Sequence, residues 1–147
     1  MKPFAYTRPP TLDAAVALLT TDQDAQFLAG GTDLLTLLKA DLLEPSQLVD
    51  IKRLAELDTT ITLADETLRI GALATLSDLE FDPLIAAQAP ALAEAAALAA
   101  TPQLRNMATI GGNLLQRPRC WYYRHADLVC LKKGGDMCFA QTGDHRY

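Results

Sequence analysis

The chain has 147 residues, of which half are hydrophobic, and its 13 basic and 18 acidic side chains give a net charge of −5. This length suits one domain with a sizeable core. No run of 18 apolar residues occurs, and no apolar segment follows the charges near the N-terminus. Neither a membrane span nor a secretory signal is therefore expected. The acidic balance also argues against a general nucleic-acid binder.

Charge and special side chains are unevenly distributed along the chain. Residues 1–116 carry a net charge of −8, whereas residues 117–147 carry +3. All three cysteines, both histidines (His125 and His145) and the single Trp121 lie in residues 117–147, which we call the cysteine tail. The sequence therefore indicates an acidic body joined to a basic segment of different chemistry.

The apolar spacing predicts short helices and strands that alternate along the body. Proline removes a helical hydrogen bond, so a helix over 83–99 is expected to bend or split at Pro90. This alternation of elements predicts an α/β or α+β body. The other predicted elements are a helix over 12–19 after a Thr11 cap, strands over 25–29 and 47–51, a helix over 34–40 capped by Thr32 or Asp33, a hairpin of 59–63 and 67–70, helical turns over 75–80, and an apolar segment over 107–115.

Two glycine pairs interrupt this pattern at places where a ligand can approach the backbone. Gly30-Gly31 stands between a predicted strand and a predicted helix, where positive φ and unpaired helical N–H groups suit a phosphate. Gly111-Gly112 forms the centre of a second loop that Thr109 opens and Asn113 closes. Neither pair belongs to a GxGxxG or GxxxxGK[ST] motif, so Rossmann and Walker sites are not supported. Two such loops together favour a pyrophosphate cradle, and plain turns are the alternative for each.

The two glycine segments, GGTDLL and RNMATIGGNL, together with the opening KPFAYTRP, resemble the FAD-binding subunits of the xanthine dehydrogenase family. These are the medium subunits of molybdenum hydroxylases. The resemblance implies an α+β, two-lobed FAD-binding domain of the vanillyl-alcohol oxidase/molybdopterin dehydrogenase type. Residues 1–54 would form the first lobe, 55–116 the start of a second, incomplete lobe, and 117–147 part of an iron–sulfur insertion. Family members are about twice as long, so we expect this chain to be truncated.

The same resemblance assigns residues to the cofactor. Some flavoproteins of this wider fold tether the flavin through a histidine in the first loop. Position 32 is a threonine here, so non-covalent FAD is expected. The residues implied to contact the pyrophosphate are Gly30, Gly31, Thr32 and Asp33 on one side and Thr109, Gly112 and Asn113 on the other, with Leu28, Ala29, Leu34 and Ala100 lining the cleft.

Cys120, Cys130 and Cys138 admit several interpretations from their residues alone. An odd number of cysteines at uneven spacing leaves open a metal or cluster site, ordinary thiols, and one disulfide with a third free cysteine. The segments NLLQRPRCWYYR and CLKKGGDMC resemble an insertion found in part of the family, including aldehyde oxidoreductases and 4-hydroxybenzoyl-CoA reductase. That likeness, closest to the aldehyde oxidoreductase type, implies three of the four ligands of a [4Fe–4S] cluster. The fourth ligand is missing from this chain.

The resemblance implies an electron-transfer subunit, and the residues offer no paired carboxylates, Ser–His–Asp set or Cys–His dyad for catalysis by side chains. A molybdenum-cofactor subunit would oxidise an aldehyde, and electrons would pass through a [2Fe–2S] subunit to FAD and then to an external acceptor. The complex would be cytoplasmic, or periplasmic if a partner carries the export signal. Two alternatives stay open: a zinc-binding interaction module that uses the cysteines with His125 or His145, and a truncated, non-catalytic flavin-domain remnant.

Overall fold

The computed structural model describes residues 2–142, with only the backbone of Thr142, and its first unit is a small parallel sheet. The three strands are ordered β1-β3-β2, and both pairings are parallel. Because β3 is central, Leu48, Val49 and Asp50 are all buried. The elements of this unit are β1 Ala5–Thr7, α1 Leu12–Thr21, β2 Gln26–Leu28, α2 Leu34–Lys39 and β3 Gln47–Asp50.

Helix α1 starts where the sequence predicts it. The Thr11 hydroxyl accepts a hydrogen bond from the Ala14 N–H at 3.2 Å and so caps the first turn. The buried face of the helix packs Ala15 against Ala25, Val49 and Leu54 in one core cluster. Small and branched apolar side chains therefore pack α1 against the parallel sheet.

A hairpin and three helices form the second unit. Strands β4 (Ile61–Ala64) and β5 (Thr67–Ile70) pair antiparallel. The two residues between them, Asp65 and Glu66, both have positive φ, as the right-handed twist of a two-residue hairpin requires. The predicted hairpin is thereby confirmed, with a shorter first strand than the sequence suggested.

The helices of the second unit are α3 (Leu76–Phe81), α4 (Pro83–Gln88) and α5 (Pro90–Leu98). The predicted split at Pro90 is confirmed, since Ala89 leaves the helical region with φ −143° and ψ 60°. Thr75 and Asp78 form a reciprocal capping box at the start of α3. A second core cluster holds this unit together: Ala74, Leu76, Leu79, Ile85, Ala96 and Ala108.

The remaining elements lead into the cysteine tail. Helix α6 (Pro102–Arg105) and helix α7 (Ile110–Leu114) precede a single 3-10 turn at Leu131–Lys133 and helix α8 (Phe139–Thr142). Gly111 and Gly112 lie inside α7, so the predicted second glycine loop is instead the first turn of a helix. Within residues 2–142, no helix combines the length and apolarity needed to cross a membrane. The boundaries at 54/55 and 116/117 stay predictions.

Candidate functional site

A cleft of about 980 Å³ runs between the two glycine segments. The residues between β2 and α2 form one wall, and segments around 72–76, 99–104 and 108–113 form the other. Leu28, the last residue of β2, is absent from the lining among the described residues. Ten of the eleven residues that the resemblance assigned to FAD do line the cleft: Ala29, Gly30, Gly31, Thr32, Asp33, Leu34, Ala100, Thr109, Gly112 and Asn113.

The two walls touch through backbone at Gly30. A Cβ added to this residue would overlap the Met107 carbonyl oxygen and would lie 3.3 Å from the Ala108 Cα. Only glycine permits this approach, because any side chain would push the segments apart. The glycine pair in the first loop therefore joins the two units as well as shaping the cleft.

The first wall carries a run of unused hydrogen-bond donors. Gly31 has φ 72°, which turns the chain sharply between β2 and α2. Within the described residues, none of the N–H groups of residues 30–34 donates to a protein acceptor. Consecutive unpaired N–H groups in a turn form a concave site for an anion. This arrangement can hold a phosphate or pyrophosphate without any cationic side chain.

The second wall differs, because its helical N–H groups are already used. Ile110 donates to the Ala74 carbonyl at 2.8 Å and Gly111 to the Ala72 carbonyl at 3.0 Å. The Gly112 N–H donates to the Thr109 hydroxyl at 3.2 Å. What this wall can offer a ligand is the Thr109 hydroxyl proton and the side-chain amide of Asn113. The two glycine pairs predict a pyrophosphate site with free backbone donors on both walls. In the structure, the unpaired N–H groups lie on the first wall, and the second wall offers side-chain groups.

Asp33 is the N-cap residue of α2, one of the two positions that the sequence suggested, but its side chain makes no capping hydrogen bond. Its carboxylate instead accepts from the Arg124 guanidinium at 2.7 Å and from the Arg117 N–H at 3.1 Å. Arg117 and Arg119 themselves line the cleft. Sequence reasoning did not place either arginine at the site. The opposite net charges of the body and the tail were the signal that could have indicated such a contact.

Ala100 lines the cleft in an unusual conformation, with φ 50°. The Arg105 guanidinium donates to the carbonyls of Ala99 and Ala100 at 3.3 and 3.4 Å. It also pairs with Glu80 at 2.8 Å, and both of these side chains are largely buried. A part-buried ion pair therefore holds this turn of the cleft wall in place.

The three cysteines are free thiols: Cys130 is buried, and Cys120 and Cys138 are partly exposed. Across residues 2–142, no group of three His, Cys, Asp or Glu side chains lies close enough to hold a metal ion. The structure thus does not bring the cysteines together as a ligand set, and their role as ligands stays a prediction. His125 is exposed and lies 4.0 Å from Asp127, and His145 lies outside the described residues.

Within the described residues, Lys133 and Tyr122 of the tail make contacts to other residues of the tail. The Lys133 ammonium donates to the His125 carbonyl at 2.6 Å. Tyr122 packs against Phe139 with ring centroids 5.6 Å apart. Trp121 is 69% exposed. Ordinary packing therefore accounts for Tyr122, and Trp121 is left largely in solvent.

Residues 2–141 match the family described as the FAD binding domain in molybdopterin dehydrogenase. The chain belongs to this family. It is 38% identical to the aldehyde oxidoreductase FAD-binding subunit PaoB of Escherichia coli (strain K12), over 99% of this chain and 46% of that protein. It is 44% identical to the carbon monoxide dehydrogenase medium chain of Hydrogenophaga pseudoflava, over 76% of this chain and 39% of that one.

Solved structures agree with this assignment. The fold superimposes on a chain of quinoline 2-oxidoreductase from Pseudomonas putida 86 with a TM-score of 0.72 at 37% identity, over 78% of this chain and 40% of that one. Carbon monoxide dehydrogenase from Hydrogenophaga pseudoflava gives a TM-score of 0.72 at 44% identity, over 78% and 40%. The chain spans less than half the length of the curated relatives described here.

The cleft fits the cofactor that the family name implies. Its volume lies at the upper end of the roughly 300–1,000 Å³ typical of ligand pockets. The free N–H groups of residues 30–34 supply donors for a diphosphate, and Ala29, Leu34, Leu76 and Ala100 supply apolar surface. These residues can hold a long ligand with an anionic centre.

Proposed function

We propose that this chain binds FAD non-covalently in the cleft between the two glycine segments. The observation that carries the proposal is the row of unpaired N–H groups at residues 30–34 along the cleft wall. They would hold the pyrophosphate by hydrogen bonds, with Thr109 and Asn113 donating from the opposite wall and Gly112 leaving room for close approach. Leu28 would support the first loop from β2, since it lies outside the lining.

We propose further that the chain is the flavin subunit of a molybdenum-dependent oxidoreductase. FAD would supply the redox chemistry, and the chain would bind it, orient it and shield it from water. The names of the relatives support this role, since they are subunits of dehydrogenases and oxidoreductases. Electrons would arrive from a [2Fe–2S] subunit, which a molybdenum-cofactor subunit reduces, and leave to an external acceptor.

An aldehyde is the proposed substrate of the complex. The alignment with PaoB covers 99% of this chain and so includes nearly all of the cysteine tail, whereas the alignment with the carbon monoxide dehydrogenase medium chain covers 76%. The shared tail therefore favours the relative whose name refers to aldehydes. The substrate would bind another subunit, so an assay of the reconstituted complex with aldehydes, carbon monoxide and purines tests this point.

Flavin retention tests the proposed cleft directly. Gly31→Val forces a branched side chain onto a residue with φ 72°, and Gly112→Val places one beside the Thr109 hydroxyl. Both variants should lose bound FAD, measured as flavin absorbance per chain after purification. Gly134→Val is the matched control, because Gly134 has φ 87° and open space around it in the tail. Full FAD occupancy in both cleft variants would contradict the proposal that the two glycine segments bind the FAD pyrophosphate.

Cys120, Cys130 and Cys138 are proposed as three ligands of a [4Fe–4S] cluster, on the strength of the tail's resemblance alone. Iron, sulfide and zinc analysis of anaerobically purified chain tests this assignment. Iron and sulfide in equal amounts, lost in Cys130→Ser, would support it. One zinc per chain without iron or flavin would instead favour the interaction-module alternative.

A further inference from the structure

The contacts between the cysteine tail and the first glycine loop converge on one carboxylate. Asp33 Oδ1 accepts from Arg124 at 2.7 Å and lies 3.9 Å from the Arg119 guanidinium, while Oδ2 accepts from the Arg117 N–H at 3.1 Å. The Asp33 and Arg124 side chains are only 15% and 19% exposed. A charge-assisted pair screened from water in this way is stronger than a surface ion pair.

Arg124 also organises the start of the tail. Its guanidinium donates to the carbonyls of Pro118 and Arg117 at 2.9 and 3.2 Å, and to the Thr36 hydroxyl of α2 at 3.1 Å. One planar side chain thus closes the loop from 117 to 124 and ties it to the body. Lysine has a single point charge and could not make this set of contacts.

The position of the pair matters for the cleft. Asp33 lies in the run of residues with free N–H groups, where an unpaired carboxylate would repel an anionic ligand. Pairing with Arg124 neutralises that charge. The docked loop also brings Arg117 and Arg119 to the lining of the cleft. The tail therefore removes a negative charge from the site and adds two positive ones.

We propose that Asp33 is the docking point of the cysteine tail and Arg124 the positioning residue that holds it there, so that tail docking and flavin binding stabilise each other. The inference rests on the proposed function for the identity of the ligand. If the docked tail raises the affinity for FAD, then FAD must favour the docked tail by the same factor, because binding free energies are reciprocal.

Amide exchange without FAD tests the docking itself. The Arg117 N–H bonds to Asp33, so its exchange rate, resolved by NMR on the full chain, reports whether the tail is docked. Arg124→Ala and the isosteric Asp33→Asn should both accelerate this exchange, by about tenfold or more. Lys132→Ala removes one exposed positive charge from the same tail and should leave the rate unchanged. Equal exchange rates in the wild type, Arg124→Ala and Asp33→Asn would overturn the docking.

FAD titration tests the coupling. Arg124→Ala should raise the dissociation constant for FAD by about tenfold, and FAD should slow Arg117 exchange in the wild type by a similar factor. Arg124→Lys keeps the positive charge but cannot make the same set of hydrogen bonds, so it should still weaken FAD binding. If the wild type binds FAD and Arg124→Ala binds it equally well, the coupling is wrong and the proposed function stands. If the wild type binds no FAD, the proposed function and the coupling both fail, and the exchange rates still decide the docking.

Discussion

At the scale of single residues, Asp50 shows how the small sheet keeps a buried charge. It ends the central strand β3 and is 4% exposed. Burial by itself raises the pKa of this carboxyl, but hydrogen bonds from Lys52 and from the Tyr6 hydroxyl outweigh it and lower the pKa from 3.8 to about 2. The Lys52 ammonium lies 2.7 Å away, and its backbone N–H donates at 3.0 Å. Three donors, one from Tyr6 in β1 and two from Lys52 just after β3, therefore hold one anion.

This lowered pKa predicts a specific loss of stability in acid. Because the carboxyl binds its proton more weakly when folded, its contribution is fully present above about pH 4 and is lost as the pH falls through 2. The contribution is on the order of 2 kcal/mol at neutral pH. Urea unfolding of the wild type and Asp50→Asn between pH 2 and pH 7 measures it.

The control for this prediction is Asp127→Asn, whose carboxyl is 92% exposed. Asp127→Asn should retain the pH dependence of the wild type, while Asp50→Asn should lose most of the component between pH 2 and 4. Parallel curves for the wild type and Asp50→Asn would contradict the assignment.

At the scale of elements, local sequence signals set most of the helix and strand boundaries. Thr11, Thr75 and Asp82 accept hydrogen bonds from the N–H groups of the turns that follow them, and Pro90 starts a new helix. These signals act within four residues, so they can be read from the sequence. Gly111-Gly112 misled the prediction, because Thr109 caps a helix there and long-range bonds to Ala72 and Ala74 fix its first turn.

One ion pair links the elements around the cleft. Arg105 at the end of α6 pairs with Glu80 in α3 and holds the carbonyls of Ala99 and Ala100. Arg105→Ala would leave the Glu80 carboxylate largely buried without its partner, so the free energy of unfolding should fall by roughly 2–3 kcal/mol. Urea unfolding measures the change.

The matched control is Lys2→Ala, which breaks the exposed pair between Lys2 and Glu44 and should produce no measurable loss. A double-mutant cycle with Glu80→Gln separates the ion pair from the carbonyl contacts. Equal losses for Arg105→Ala and Lys2→Ala would show that the buried pair does not stabilise the turn.

At the scale of the whole molecule, the cleft lies between two separate cores. One cluster surrounds Ala15 and Val49, and the other surrounds Leu79 and Ile85. The contact of Gly30 with Met107 joins the two halves, and the pairing of Asp33 with Arg124 joins the first half to the cysteine tail. A ligand held by both walls should therefore oppose separation of the units.

FAD should stabilise the whole chain through this arrangement. A ligand that binds only the folded state adds about 2.7 kcal/mol to the free energy of unfolding at 100 times its dissociation constant. Urea unfolding monitored by far-UV circular dichroism, with and without FAD, measures the gain. Riboflavin lacks the pyrophosphate, so at equal concentration it should stabilise much less. Equal stabilisation by riboflavin and FAD would contradict the role of the N–H groups at residues 30–34.

The sequence by itself determined the family, the Thr11 cap, the broken helix at Pro90 and, through the family resemblance, ten of the residues that line the cleft. These features depend on motifs and on interactions a few residues apart. Only the tertiary structure decided that the donors of α7 are used while those of residues 30–34 are free. It also decided that Asp33 binds Arg124, 91 residues away. Such pairings depend on how distant segments meet, because a hydrogen bond or ion pair requires contact in space and leaves no fixed spacing in the chain.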